Sequence, residues 1–126
     1  MSTGSEHTRP SILIVDDEFG LAEMLRELLA EAGYDVRLAI NGRLALASLR
    51  ERRAEVVLTD VMMPVMNGPE LARALRQDEQ FRDTCIIFMT SLTSALQAEA
   101  RLGDAVLEKP FTPERLMATL RQLGRA

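Results

Sequence analysis

Three carboxylates, a hydroxyl and an ammonium group stand at the ends of apolar runs in this 126-residue chain. Ile12-Leu13-Ile14-Val15 stops at Asp16-Asp17, and Val56-Val57-Leu58-Thr59 stops at Asp60. Ile86-Ile87-Phe88-Met89 ends at Thr90, and Ala105-Val106-Leu107 runs through Glu108 into Lys109-Pro110. Two carboxylates about 4 Å apart repel by about 4 kcal/mol at an effective dielectric of about 20, so three together would take up protons unless a cation neutralised them. A hard divalent cation is the natural partner. Magnesium suits an open cleft, because it binds through few carboxylates and keeps waters that an incoming phosphoryl oxygen can displace. A lysine and a threonine opposite the acids complete a site for a phosphoryl group, and an aspartate can itself be the nucleophile, forming an aspartyl phosphate. Asp60 is the candidate for that role. Taken one at a time, these residues fit plainer duties: Asp16 or Asp17 as a helix cap, Thr90 as a capping hydroxyl, Lys109 as a solvated charge. Their convergence is what gives the chemistry weight.

Convergence depends on the elements that carry the residues. The four runs above and Tyr34 to Ile40 read as strands, the apolar ones as buried on both faces. Leu21, Met24, Leu25, Leu28, Leu29 and Ala32 fall at helical spacing, with Gly33 as the stop. Asn41-Gly42 resembles a hairpin turn, but the helix formers from Leu44 to Leu49 favour a helix ending near Arg53. Pro69-Glu70-Leu71 opens a further helix that fades near Gln77, Thr93 to Leu102 is a weak one with few apolar positions, and Thr112-Pro113 caps a last one that buries Leu116, Met117, Leu120 and Leu123. Five alternating strand and helix units predict an α/β fold: a five-stranded parallel sheet with helices on both faces. Right-handed crossovers favour the flavodoxin-like strand order 2-1-3-4-5. Ligands in that order bind beyond the carboxyl ends of the first and third strands, where Asp16, Asp17 and Asp60 would meet, with Thr90 and Lys109 arriving from the fourth and fifth.

Composition bounds the partners. With 47% hydrophobic residues the chain supports one domain and one core, predicted over residues 11–126 behind a polar, disordered leader of residues 1–10. The formal charge of -4 argues against direct binding of nucleic acid or an anionic membrane. His7, the only histidine, sits in the leader without partner residues. The lone Cys85 excludes an internal disulfide and fits a reducing compartment, and no apolar run is long enough to cross a bilayer. A cytoplasmic location is expected.

The Asp16-Asp17 pair, Asp60 followed by Met63-Pro64 and Asn67-Gly68, Thr90, and Lys109-Pro110-Phe111 resemble the receiver domain of bacterial two-component response regulators. The likeness runs from Ser11 to about Leu123. It implies a phosphorylation-controlled signalling switch that accepts a phosphoryl group on Asp60 from a histidine kinase or a histidine phosphotransfer protein. It also implies that Asp16 and Asp17 hold magnesium together with Asp60 and the backbone carbonyl of Met62, and that Lys109 pairs with the phosphoryl group. Thr90 would hydrogen-bond a phosphoryl oxygen, and the peptide bond into Pro110 would be cis.

Two departures mark this chain. Three residues before Lys109, where many family members carry an aromatic ring that turns inward on activation, stands Val106. The stretch between Thr90 and Lys109 is about one helical turn shorter than usual. A second functional class, a magnesium-dependent phosphatase acting through an aspartyl phosphate, needs an acid two residues beyond the nucleophile, where Met62 stands. A regulatory domain with at most slow autodephosphorylation is therefore expected. A single-domain regulator is favoured over a receiver cut from a larger regulator or hybrid kinase, with its output partner unspecified.

Overall fold

The expected alternation is present in the computed structural model, which describes residues 9–91 and 101–125. In chain order the elements are β1 (Ser11–Val15), α1 (Phe19–Glu31), β2 (Asp35–Ala39), α2 (Gly42–Glu51), β3 (Val56–Asp60), α3 (Gly68–Gln77), β4 (Cys85–Thr90), β5 (Ala105–Glu108) and α4 (Pro113–Gln122). The expected helix over Thr93 to Leu102, except its last two residues, lies outside the described residues, as does most of the expected leader. Pro10, assigned to that leader from sequence, is already tied to the fold: its carbonyl accepts the amide of Asp35 at 2.9 Å.

All strand pairs are parallel, and the order is β2-β1-β3-β4-β5. Val15 pairs with Thr59, so the next residues, Asp16 and Asp60, leave neighbouring strands at the same level. Asp60 pairs with Met89, and Thr90 with Glu108, which brings the fourth and fifth strands to the same edge. Alternate strand residues feed two cores, as the two-residue period requires. Leu13, Val15, Val57 and Phe88 pack with Ala45 and Leu49 of α2 and Leu71 and Leu75 of α3. Ile12, Ile14, Leu58 and Ile87 pack with Leu25 and Leu29 of α1 and Leu116 and Leu120 of α4. Complete burial of each such side chain stabilises the fold by about 1.5–3 kcal/mol.

The helix starts carry local signals. The Asn41 side chain accepts the Leu44 amide at 2.8 Å, which settles Asn41-Gly42 as a helix start rather than a hairpin. Asn67 and Glu70 form a reciprocal capping box, and Thr112 caps α4 through the Arg115 amide. Gly33 ends α1 at φ +102°, a conformation that costs glycine little. Arginines hold the other helix ends. Arg37 donates to the carbonyls of Ser48 and Arg52 at the end of α2. Arg53 reaches the carbonyl of Gln80, while Arg76 spans the carbonyls of Arg82, Thr84 and Leu102 and the Asp104 carboxylate.

The apolar face of α1 is narrower than its sequence implies. Ala22, Leu25 and Leu29 are buried, but Met24 is 60% exposed and Phe19 69%. Met24 lies about 100° round the helix from Leu25, beyond the reach of the sheet.

Candidate functional site

The carboxylates of Asp16, Asp17 and Asp60 present ligand oxygens that all lie within 4.8 Å of one another. Lys109 closes the cluster, its Nζ 3.2 Å from Asp60 Oδ2 and 3.6 Å from Asp16 Oδ2. Its position follows from the backbone: the Lys109 amide donates to the Thr90 carbonyl at 2.9 Å, and the bond into Pro110 is cis, as the sequence implied. Asp60 Oδ1 accepts the Val61 amide at 2.9 Å, which fixes one oxygen and leaves Oδ2 toward the lysine. Thr90 ends β4 one residue beyond Met89, the pairing partner of Asp60, and is buried.

Burial divides the acids. Asp17 is exposed, Asp60 is half-buried, and Asp16 is only 1% exposed. Asp16 Oδ1 accepts the Glu18 amide at 2.9 Å, but Oδ2 has no hydrogen-bond partner, the lysine at 3.6 Å being too distant for one. Desolvation pushes the Asp16 carboxyl up from its ordinary value, opposed by the Glu18 hydrogen bond and Lys109 and aided by the charges of Asp60 and Asp17. A buried carboxylate oxygen without a donor, facing two further carboxylates, is the environment a hard divalent cation satisfies. The donor set therefore fits such an ion.

A stability prediction follows. Because the Asp16 carboxyl is raised, the fold favours its protonated form, and its contribution is full at low pH and lost as pH rises through the folded value. Asp16→Asn keeps an acceptor for the Glu18 amide and removes the buried charge. Without divalent cations at pH 7 its thermal midpoint should exceed that of the wild type by a few degrees, at about 4 °C per kcal/mol. The difference should shrink in acid, as followed by circular dichroism. A variant that melts lower at pH 7, or whose advantage is independent of pH, would contradict this account.

The structure gathers Asp16, Asp17, Asp60 and Lys109 into one cluster and sets Thr90 at its edge. The turn after β3 was legible in Met62 to Gly68, but not its backbone at Val65, which adopts φ +72°, rare for a β-branched residue. No sequence pattern announces that angle. The capping box that starts α3 was readable, as Asn67 followed three residues later by Glu70. Also missed was an apolar cavity beside the cluster, lined by Leu21, Met24, Leu28, Lys109, Phe111 and Pro113.

Carboxylates and a lysine at the C-terminal edge of a parallel sheet ordered 2-1-3-4-5, at the switch point between β1 and β3, define a flavodoxin-like α/β domain built around an acid cluster that fits a cation. The profile of the response regulator receiver domain matches residues 12–121, and the chain belongs to that family. The DNA-binding response regulator MtrA of Mycolicibacterium paratuberculosis is 38% identical over 116 residues, which are 90% of this chain and 50% of that protein. The chain thus spans about half the length of the curated relatives it matches. Among solved structures, the chemotaxis response regulator CheY4 of Vibrio cholerae superposes with a TM-score of 0.85 at 37% identity, covering 91% of this chain and 98% of that one. The response regulator TrrA of Thermotoga maritima, solved in complex with Mg2+-BeF, gives a TM-score of 0.82 at 31% identity, covering 90% of this chain and 98% of that one. Among the described residues no helix is long and apolar enough to cross a membrane.

Proposed function

We propose that this receiver domain works as a magnesium-dependent phosphoacceptor switch in a two-component phosphorelay, with Asp60 as the acceptor. The observation that carries this is the placement of Lys109 between Asp16 and Asp60 at the mouth of a three-carboxylate cluster. Asp16, Asp17, Asp60 and the backbone carbonyl of Met62 would hold the Mg2+, which when bound would offset carboxylate charge and stabilise negative charge on the phosphoryl oxygens. A carboxylate oxygen of Asp60 forms the new O–P bond as the donor's N–P bond breaks, the electron pair leaving on the imidazole. Lys109 pairs with the transferred group, and Thr90 donates a hydrogen bond to one of its oxygens. The aromatic-switch position is Val106, half-buried against the core under α2 and α3, so output does not run through a rotating ring. A phosphatase reading finds no support at Met62, which offers neither acid nor base.

The donor is a histidine kinase or a histidine phosphotransfer protein. Its phosphohistidine must approach Asp60 past the cavity bordered by Lys109, and the apolar residues there, with Met24 exposed beside them, offer a docking face for an apolar helix surface.

The test is incubation with magnesium and acetyl phosphate, followed by mass spectrometric mapping of the adduct. Phosphate on Asp60 is the expected result, and modification elsewhere, or none, would refute the reading. Met24→Asp should separate transfer from a protein donor from labelling by the small-molecule donor. Transfer from the cognate phosphohistidine protein should fall about tenfold or more, the loss expected of one well-placed apolar contact, while labelling by acetyl phosphate stays at the wild-type rate. Equal transfer in both proteins would remove the α1 face from the docking surface.

A further inference from the structure

The loop from Val61 to Asn67 leaves the acceptor strand and carries Met62; Val61 and Met63 sink into the core under α2 and α3, while Met62 and Val65 are exposed. At its start the Val61 amide donates to the Met89 carbonyl at 3.1 Å, and near its end the Gly68 amide donates back to the Val61 carbonyl at 3.0 Å. The contact that reaches another helix comes from Gly42, whose amide donates to the Met66 carbonyl at 3.0 Å. Gly42 is buried, and a Cβ placed on it would lie 2.7 Å from that carbonyl oxygen and 2.8 Å from Met66 Cγ. Neighbouring Val65 sits at φ +72° with its side chain 69% exposed, so its own packing does not impose the angle. A strained residue persists only where its surroundings over-determine it, and the close approach at Gly42 supplies that constraint.

We propose that Gly42 is a positioning residue for the cation site: the bare start of α2 fixes the loop through Met66 and so sets the Met62 carbonyl relative to the carboxylates. The assignment rests on the cation-binding reading proposed above. Groups that orient metal ligands from behind typically change affinity by about 10–100-fold when altered. A merely structural glycine would alter melting without altering the loop's response to metal. Gly20 provides the control, since a Cβ there meets nothing within 4 Å.

In the metal-free protein, Gly42→Ala should speed hydrogen exchange at the Met66 and Gly68 amides, while Gly20→Ala should not. In a magnesium titration read by amide chemical shifts, Gly42→Ala should bind about tenfold more weakly. The shifts at Met62 and Met63 should be lost, and those at Asp16 and Asp17 should persist at higher metal concentration. Met66→Gly keeps Gly42, every carboxylate and the carbonyl at position 66 but removes the side chain packed on Gly42 and frees the loop's backbone, and carries the same expectation where Gly42→Ala fails to fold. A wild type silent toward magnesium overturns the cation reading and this assignment with it. A wild type that responds, beside variants that bind equally well with unchanged loop shifts, overturns the assignment alone.

Discussion

In Asp60→Asn, phosphate incorporation from a small-molecule donor is expected to fall to background. The amide is nearly isosteric with the carboxylate and can still accept the Val61 amide hydrogen bond, so β3 and its loop should be retained. What it lacks is a nucleophilic oxygen carrying full charge, and no neighbouring residue is expected to replace it: Asp16 is buried, and Asp17 is assigned to the cation in the proposed site. Removing one of three clustered negative charges also relieves repulsion, so the variant should melt no lower than the wild type without metal. Phosphoprotein gels or intact mass spectra on matched samples would measure the loss. Label in the variant at the wild-type level would transfer the acceptor role to another residue.

A second large effect is expected in the lifetime of the phosphoryl group. Hydrolysis of an aspartyl phosphate needs a water held in line behind phosphorus, and family members often carry polar groups able to hold it two residues beyond the acceptor and two beyond the threonine. Here those positions are Met62 and Leu92, which neither donate nor accept a strong hydrogen bond. Met62 is 65% exposed on the loop leaving Asp60, while Leu92 lies outside the described residues. Slow autodephosphorylation is expected. Each 1.4 kcal/mol of positioning regained is worth about tenfold in rate, so Met62→Asn combined with Leu92→Glu should shorten the lifetime by about tenfold. Decay of purified phosphoprotein in magnesium gives the comparison directly, and an equal or slower rate in the double variant would show that the two side chains merely fill a loop.

Much of this arrangement could be read before any coordinates. Apolar runs that stop abruptly at acids, a hydroxyl and a lysine identify strands with chemistry at one edge, and crossover handedness then brings those edges together. The strand order and the carboxylate–lysine cluster agree with that reading. What stayed hidden depends on distance across the fold rather than on local pattern. Asp16 and Asp17 are adjacent and chemically identical, yet only Asp16 is buried, because β1 is flanked by β2 and β3 and its exit is covered. Met24 fits the apolar spacing of α1 and is nonetheless exposed, since periodicity gives the direction of a face but not the width of the sheet beneath it. The positive angle at Val65 stands beside Met66, whose carbonyl accepts the Gly42 amide at the start of α2, about twenty residues away in sequence.

The arginine ties at the helix ends have a consequence for how such a domain can diversify. In a parallel sheet the helices return against the strands, so their C-termini lie at the edge opposite the acid cluster, and there Arg37 binds the carbonyls of Ser48 and Arg52 at the end of α2, Arg53 that of Gln80 beyond α3, and Arg76 that of Thr84 before β4. One pole of the molecule holds mutually repelling carboxylates, and the other holds the cationic anchors. Substitutions at the anchored pole alter how firmly the domain stands without reaching the acceptor. The two poles can therefore drift independently, and a lineage can retune durability or attach new neighbours at one end while the phosphoryl chemistry at the other stays as it was.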